Sequence, residues 1–219
     1  MKILFLIMLQ CYATMFSGET KEAVKFIEKN AKEIKANMPG LTAGERRIAM
    51  AIVAPEISQY SSVTNFMELR SLFITYRNFG RGDFSVGYFQ MKPSFIEALE
   101  REIRNTKQLN KKYKGYLISG DEKSIRTERL NRLSTLDWQL KYLEVFVEIA
   151  KQKTSAIKFK NTEEKLRYWA TLYNSGFNSN RTRVAEMQKK RYFPRNSKQF
   201  NYADVAVEFY NLLSSKYLK

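Results

Sequence analysis

Apolar residues recur at helical spacing along most of this chain. In residues 20–37 they fall at Ala23, Val24, Phe26, Ile27, Ala31 and Ile34, and Met38-Pro39-Gly40 marks the stop. Thr42 and Glu45 form a capping-box pair ahead of a continuous apolar run, Ile48 to Ala54, and Pro55 is expected to end that helix. Phe66, Leu69, Leu72, Phe73 and Tyr76 share one face of a helix over 64–76. Ser94 and Glu97 predict a capped helix to about 105. Ser134 and Asp137 open a long one to about 152, rich in Leu, Phe and Val. Thr162 starts another, which breaks at Tyr173-Asn174-Ser175-Gly176, and two more are expected near 181–191 and 202–215.

Two stretches lack that period. Residues 78–93 hold three glycines and read as a loop or a short β-hairpin. Residues 106–124, rich in Lys, Asn and Gly, read as an exposed connection. No internal repeat or long linker divides the chain. The expectation is one mainly α domain over 19–219 with a small glycine-rich insert.

The first 18 residues have another character. Lys2 is the only charge before Glu19, and the apolar run Ile3 to Leu9 is followed by the small residues Ala13, Ser17 and Gly18. The run is too short to span a bilayer, and its pattern is that of a secretory signal. The product is then expected outside the cytoplasm, periplasmic or secreted. Cys11, the sole cysteine, lies inside this segment, and a lipid anchor there is the less favoured reading because Gln10 is not small.

Composition narrows the chemistry. The 219 residues include no histidine, so Ser-His triads, His-ligated zinc and imidazole proton transfer are excluded. No metal site or cofactor is expected. Any proton transfer falls to carboxylates, lysine or tyrosine. Lys and Arg outnumber Asp and Glu by 38 to 22, a net charge of +16, which favours anionic partners. An export signal argues against nucleic acid, leaving a cell envelope or a membrane surface.

Three segments carry candidate chemistry: Ala54-Pro55-Glu56-Ile57-Ser58, Gly87-Tyr88-Phe89-Gln90-Met91-Lys92-Pro93, and Leu172-Tyr173-Asn174-Ser175-Gly176. Glu56 is a carboxyl at the end of an apolar helix, where burial and the helix dipole both disfavour its charged form. In order, the three segments resemble the lysozyme-like lytic transglycosylases (SLT-type) of bacteria, whose Glu-Ser, Gly-Leu-Met-Gln and Tyr-Asn-Ala-Gly motifs they match across 42–177. The chain looks like a divergent member. Ile57 replaces the usual Ser, Tyr88-Phe89 replaces Leu-Met, and the gap between the first two motifs is long.

The resemblance implies a lysozyme-like helical fold and a monomer acting on peptidoglycan glycan strands. It assigns Glu56 as the acid/base that breaks the MurNAc-GlcNAc β-1,4 bond and lets a 1,6-anhydro ring close. It places Gly87, Tyr88, Gln90, Tyr173 and Asn174 at the substrate, with Tyr173 beside Glu56. Two other outcomes fit the same resemblance. One is a muramidase, a hydrolase in which Asp83 positions water, as the Gly82-Asp83 pair suggests by likeness to goose-type lysozymes. The other is a peptidoglycan-binding protein without activity.

Overall fold

The computed structural model describes residues 18–60, 66–195 and 198–214, and of 66–70 the backbone alone. The expected signal segment and Cys11 lie outside the described residues. Among the described residues, eleven helices and a 71% helical content make the fold mainly α. In chain order these are α1 (Gly18–Lys29), α2 (Ala31–Asn37), α3 (Ala43–Gln59), α4 (Phe66–Phe79), α5 (Pro93–Asn105), α6 (Lys107–Tyr113), α7 (Glu122–Leu133), α8 (Leu136–Lys153), α9 (Thr162–Ser175), α10 (Arg181–Met187) and α11 (Tyr202–Leu212). Strands β1 (Phe193–Arg195) and β2 (Lys198–Phe200) pair antiparallel, with Pro194 opposite Gln199. Among the described residues, no helix is long and apolar enough to cross a membrane.

Two buried helices organise the packing. α3 starts with the expected capping box: the Thr42 hydroxyl accepts from the Glu45 amide, and the Glu45 carboxylate accepts from the Thr42 amide. Arg46 and every residue from Ile48 to Pro55 are buried, so α3 has no polar stripe and must be enclosed on all sides. α1, α8, α9 and α11 enclose it. The second hub is α8, against which α2, α5, α6 and α7 pack.

Several expected boundaries are corrected. Pro55 does not end α3, which continues to Gln59. Proline removes only the donor to the Ala51 carbonyl. The turn beyond it is held by burial of Ile57 and by the Ser58 hydroxyl donating to the Pro55 carbonyl at 2.6 Å. The helix expected over 20–37 is split at Asn30, whose side-chain amide donates to the Phe26 carbonyl. Ser94 and Glu97 do not form a capping box. α5 begins earlier, with Pro93 in its first turn. Ser94 instead donates to Asp83, and Glu97 accepts from Tyr76 and Arg129.

The connection expected over 106–124 is largely ordered as α6, a 3₁₀ turn at Lys114–Tyr116 and the start of α7. Leu109, Tyr113, Leu130 and Leu133 anchor these polar segments in the core. Arg129 of α7 forms a buried pair with Glu100 of α5 at 2.9 Å and also donates to Tyr76 of α4, tying three helices at one point. The glycine-rich insert is a loop closed by a single bridge, Val86 to Met91. The strand pair of the fold is instead β1 with β2, in the stretch between the helices expected near 181–191 and 202–215.

Candidate active site

Glu56 stands in the last turn of α3 with some solvent access, while dense protein surrounds its carboxyl. Burial pushes that carboxyl up to about 7, and a hydrogen bond from Tyr202 pulls the other way. A carboxylic acid that is still half protonated near neutrality suits proton donation.

Tyr202 was not visible as a site residue in the sequence. It opens α11 behind Asn201, whose side chain caps the helix by accepting from the amides of Ala203 and Asp204. The Tyr202 hydroxyl donates to the Ile52 carbonyl at 2.9 Å, one turn before Glu56, and is also within bonding reach of the Glu56 carboxyl. One hydroxyl proton cannot serve both acceptors at once. Burial first, and the Glu56 charge second, hold the Tyr202 phenol well above its usual range, so it remains a donor. Tyr202→Phe should therefore raise the Glu56 pKa. In a pH series of any activity that Glu56 carries, the alkaline limb should move to higher pH. An unmoved or lower limb would contradict this assignment.

The sequence placed Tyr173 beside Glu56, and the structure brings the two within electrostatic range. The Tyr173 hydroxyl is committed elsewhere: it donates to the Phe89 carbonyl at 2.7 Å. Its ring packs edge-on to Phe95 and Phe146, each with centroids 5.3 Å away. Tyr173 thus joins α9 to the 86–91 loop and fixes that loop against the end of α3. Asn174 is exposed, one step beyond, on a hollow of about 490 Å³ that also takes in Asp83, Phe95 and Tyr173. Gly176, at φ +91, terminates α9, and the turn through Phe177, Asn178 and Ser179 continues the wall of this hollow.

The 86–91 loop is a tight turn. Val86 and Met91 exchange backbone hydrogen bonds at 2.9 and 3.1 Å, and the Gln90 amide donates to the Gly87 carbonyl. Gly87 has φ +71. A Cβ there would lie 1.6 Å from the Gln139 side-chain nitrogen, so the missing side chain makes room for a buried glutamine. Gln90 sits at φ +49, with its side-chain nitrogen donating to the Gly87 carbonyl at 2.7 Å. That leaves its half-exposed side-chain oxygen to accept from a ligand.

The aromatic residues of the insert divide. Phe89 is fully buried, and Phe84 packs on Phe73 and Tyr76, so both belong to the core. Tyr88 is half-buried, with its ring 4.6 Å from both Phe26 and Tyr60. These three rings line an open hollow of about 550 Å³ that reaches Ile57 and Ser58, the residues after Glu56. Asp83 is exposed, and both of its oxygens are engaged: one accepts from Ser94 at 2.6 Å, and the other pairs with Lys92 at 3.4 Å. Among the described residues, no group of three or more acidic or cysteine side chains is arranged to hold a metal ion.

No family model, curated protein or solved structure matches this chain.

Proposed function

We propose that this chain is an exported, lysozyme-like lytic transglycosylase acting on bacterial peptidoglycan. The observation that carries the reading is Glu56: a carboxyl near the end of α3 that burial pushes up to about 7, within electrostatic range of Tyr173 and Tyr202. The hollow beside Ile57 and the one beside Asn174 suit the two arms of a glycan strand, with Tyr88 as a stacking face and Gln90 and Asn174 as polar contacts.

The chemistry needs one carboxyl. Protonated Glu56 gives its proton to the bridging oxygen of the MurNAc-GlcNAc link as the C1–O bond breaks. The resulting carboxylate stabilises the cationic sugar and takes the proton from that sugar's own 6-hydroxyl. O6 then bonds to C1, closing the 1,6-anhydro ring, and Glu56 is again an acid. No water is consumed. The engagement of Asp83 with Ser94 and Lys92 favours this outcome over hydrolysis, which would need a second group to hold water.

Digestion of purified peptidoglycan followed by mass analysis tests the reading. Anhydro-muropeptides, lighter than the reducing products by one water, are expected. Asp83→Asn should leave the rate within about twofold, as for an exposed side chain away from the reaction. Reducing ends, together with collapse of activity in Asp83→Asn, would establish the muramidase instead. Binding with no fragments released would leave only a wall-binding protein.

A further inference from the structure

Residues 181–200 carry seven basic side chains against one acidic, Glu186, a concentration well beyond that of the chain as a whole. They form α10, a turn at 188–192 and the β1–β2 hairpin. The segment is braced firmly. Buried Asn201 extends its amide to the carbonyls of Met187, Gln188 and Lys190. Buried Arg195 grips Glu208 of α11 with two bonds and also donates to Thr20 of α1. Phe193 stacks edge-on to Tyr202, centroids 5.3 Å apart.

Two of the basic residues have acidic partners: Arg195 with Glu208 and Arg183 with Glu186. Lys189, Lys190 and Arg191 are exposed, and among the described residues no carboxylate pairs with them. Their position is specific. Lys190 and exposed Tyr192 line a small hollow together with Asn174, Asn201 and Tyr202. Lys190 thus overlooks Tyr202, the phenol near Glu56, and Asn174, which edges the neighbouring hollow, with Lys189 and Arg191 flanking it in the chain. Three exposed cations on a braced turn attract acid groups and cannot relax onto a neighbour.

Resting on the glycan-cleaving reading, we propose that the Lys189-Lys190-Arg191 turn is a specificity element that recognises the carboxylates of peptide stems next to the scissile bond. A glycan strand with acidic stems is then bound in preference to an uncharged one. Tyr192 offers the adjoining apolar face to the stem's methyl groups.

Binding to three glycans tests this, using Glu56→Gln protein so that no strand is cut. They are a stem-bearing peptidoglycan fragment, the same fragment with its stem carboxylates capped as amides, and a neutral N-acetylglucosamine oligomer. The first should bind about tenfold tighter than the other two, with a preference that weakens as salt rises. The triple variant Lys189→Gln/Lys190→Gln/Arg191→Gln should lose that preference and keep its affinity for the neutral oligomer. A control triple on α6 and the 3₁₀ turn after it, Lys107→Gln/Lys111→Gln/Lys114→Gln, removes the same charge from exposed positions of a segment whose helix packs against α5 and α8. It should retain the preference. Equal binding of all three glycans, survival of the preference in the first triple, or its equal loss in the control would overturn the inference while leaving the glycan site intact. A soluble polyol-phosphate polymer that displaces the fragment more effectively than free stem peptide would also overturn it, by making phosphate the anion read. If no glycan binds at all, the enzymatic reading fails too.

Discussion

Glu56→Gln is expected to lower the rate of the proposed glycan cleavage about 10³-fold, the usual contribution of a general acid/base. Glutamine fills the same space, yet has no acidic proton to give. The wild-type rate should fall as pH rises through about 7, because the acid form is lost there. The same substitution should stabilise the fold. In the unfolded chain this carboxyl ionises near its ordinary value of 4.5, whereas in the native site it holds its proton to about 7. Above pH 7 both states carry the charge, but only the native one carries it in a poorly solvated place. At pH 8 the variant should therefore be about 1–3 kcal/mol more stable than wild type, allowing for the part of Glu56 that solvent reaches. The advantage should shrink as pH falls from 7 to 4.5 and vanish below that. Thermal melting at pH 8 and pH 4 measures it. An inactive variant with no gain at pH 8 would mean that the carboxyl is not desolvated, and an active one would remove Glu56 from the reaction.

Gly87→Ala should destabilise the protein by about 4 kcal/mol, roughly a 10 °C fall in melting temperature. Two costs combine. A non-glycine residue at φ +71 is strained by about 1–2 kcal/mol. The added Cβ would also lie 1.6 Å from the Gln139 side-chain nitrogen and 2.7 Å from the Leu133 carbonyl oxygen. Gln139 is fully buried. It accepts from the Phe89 amide at 2.8 Å and donates to the Leu133 carbonyl at 2.6 Å. Pushing it aside strands buried polar groups at about 1–3 kcal/mol each. Because Phe89 also holds Tyr173, activity should fall with stability. Gln139→Ala alone should destabilise too, but the double variant should cost less than the sum, since the clash then has no partner. Strict additivity, or a melting shift under about 2 °C for Gly87→Ala, would show that the loop does not depend on this close approach.

The parts of the site legible in the sequence are those whose neighbours are local. Glu56 stood out because its environment, Val53-Ala54 before and Ile57 after, is written beside it. Gly87 and Gln90 stood out because a glycine-rich break interrupts helical spacing. Tyr202 had no such signal: its partners lie at Ile52 and Glu56, about 150 positions earlier, and on its own helix it is one more aromatic behind a capping Asn. Gly87 was legible as a glycine that matters, while its neighbour Gln139 was not. The helices within 107–133 were masked by their lysines and asparagines, since four buried apolar side chains and the buried Arg129 dock them. Pro55 misled for a related reason: the rule against interior proline is local, and burial of α3 overrode it.

The Tyr202–Ile52 bond joins α3, early in the chain, to α11, near its end. A ribosome making this protein completes the acid before it makes the residue that steadies it. During synthesis, and during any passage of the unfolded chain across a membrane, Glu56 lacks its partner and its dense surroundings, and it titrates like any free carboxyl. A molecule cut short before residue 202 would keep all three sequence motifs and still lack a working site. Completion of the chain therefore acts as its own safety catch on the chemistry proposed for Glu56.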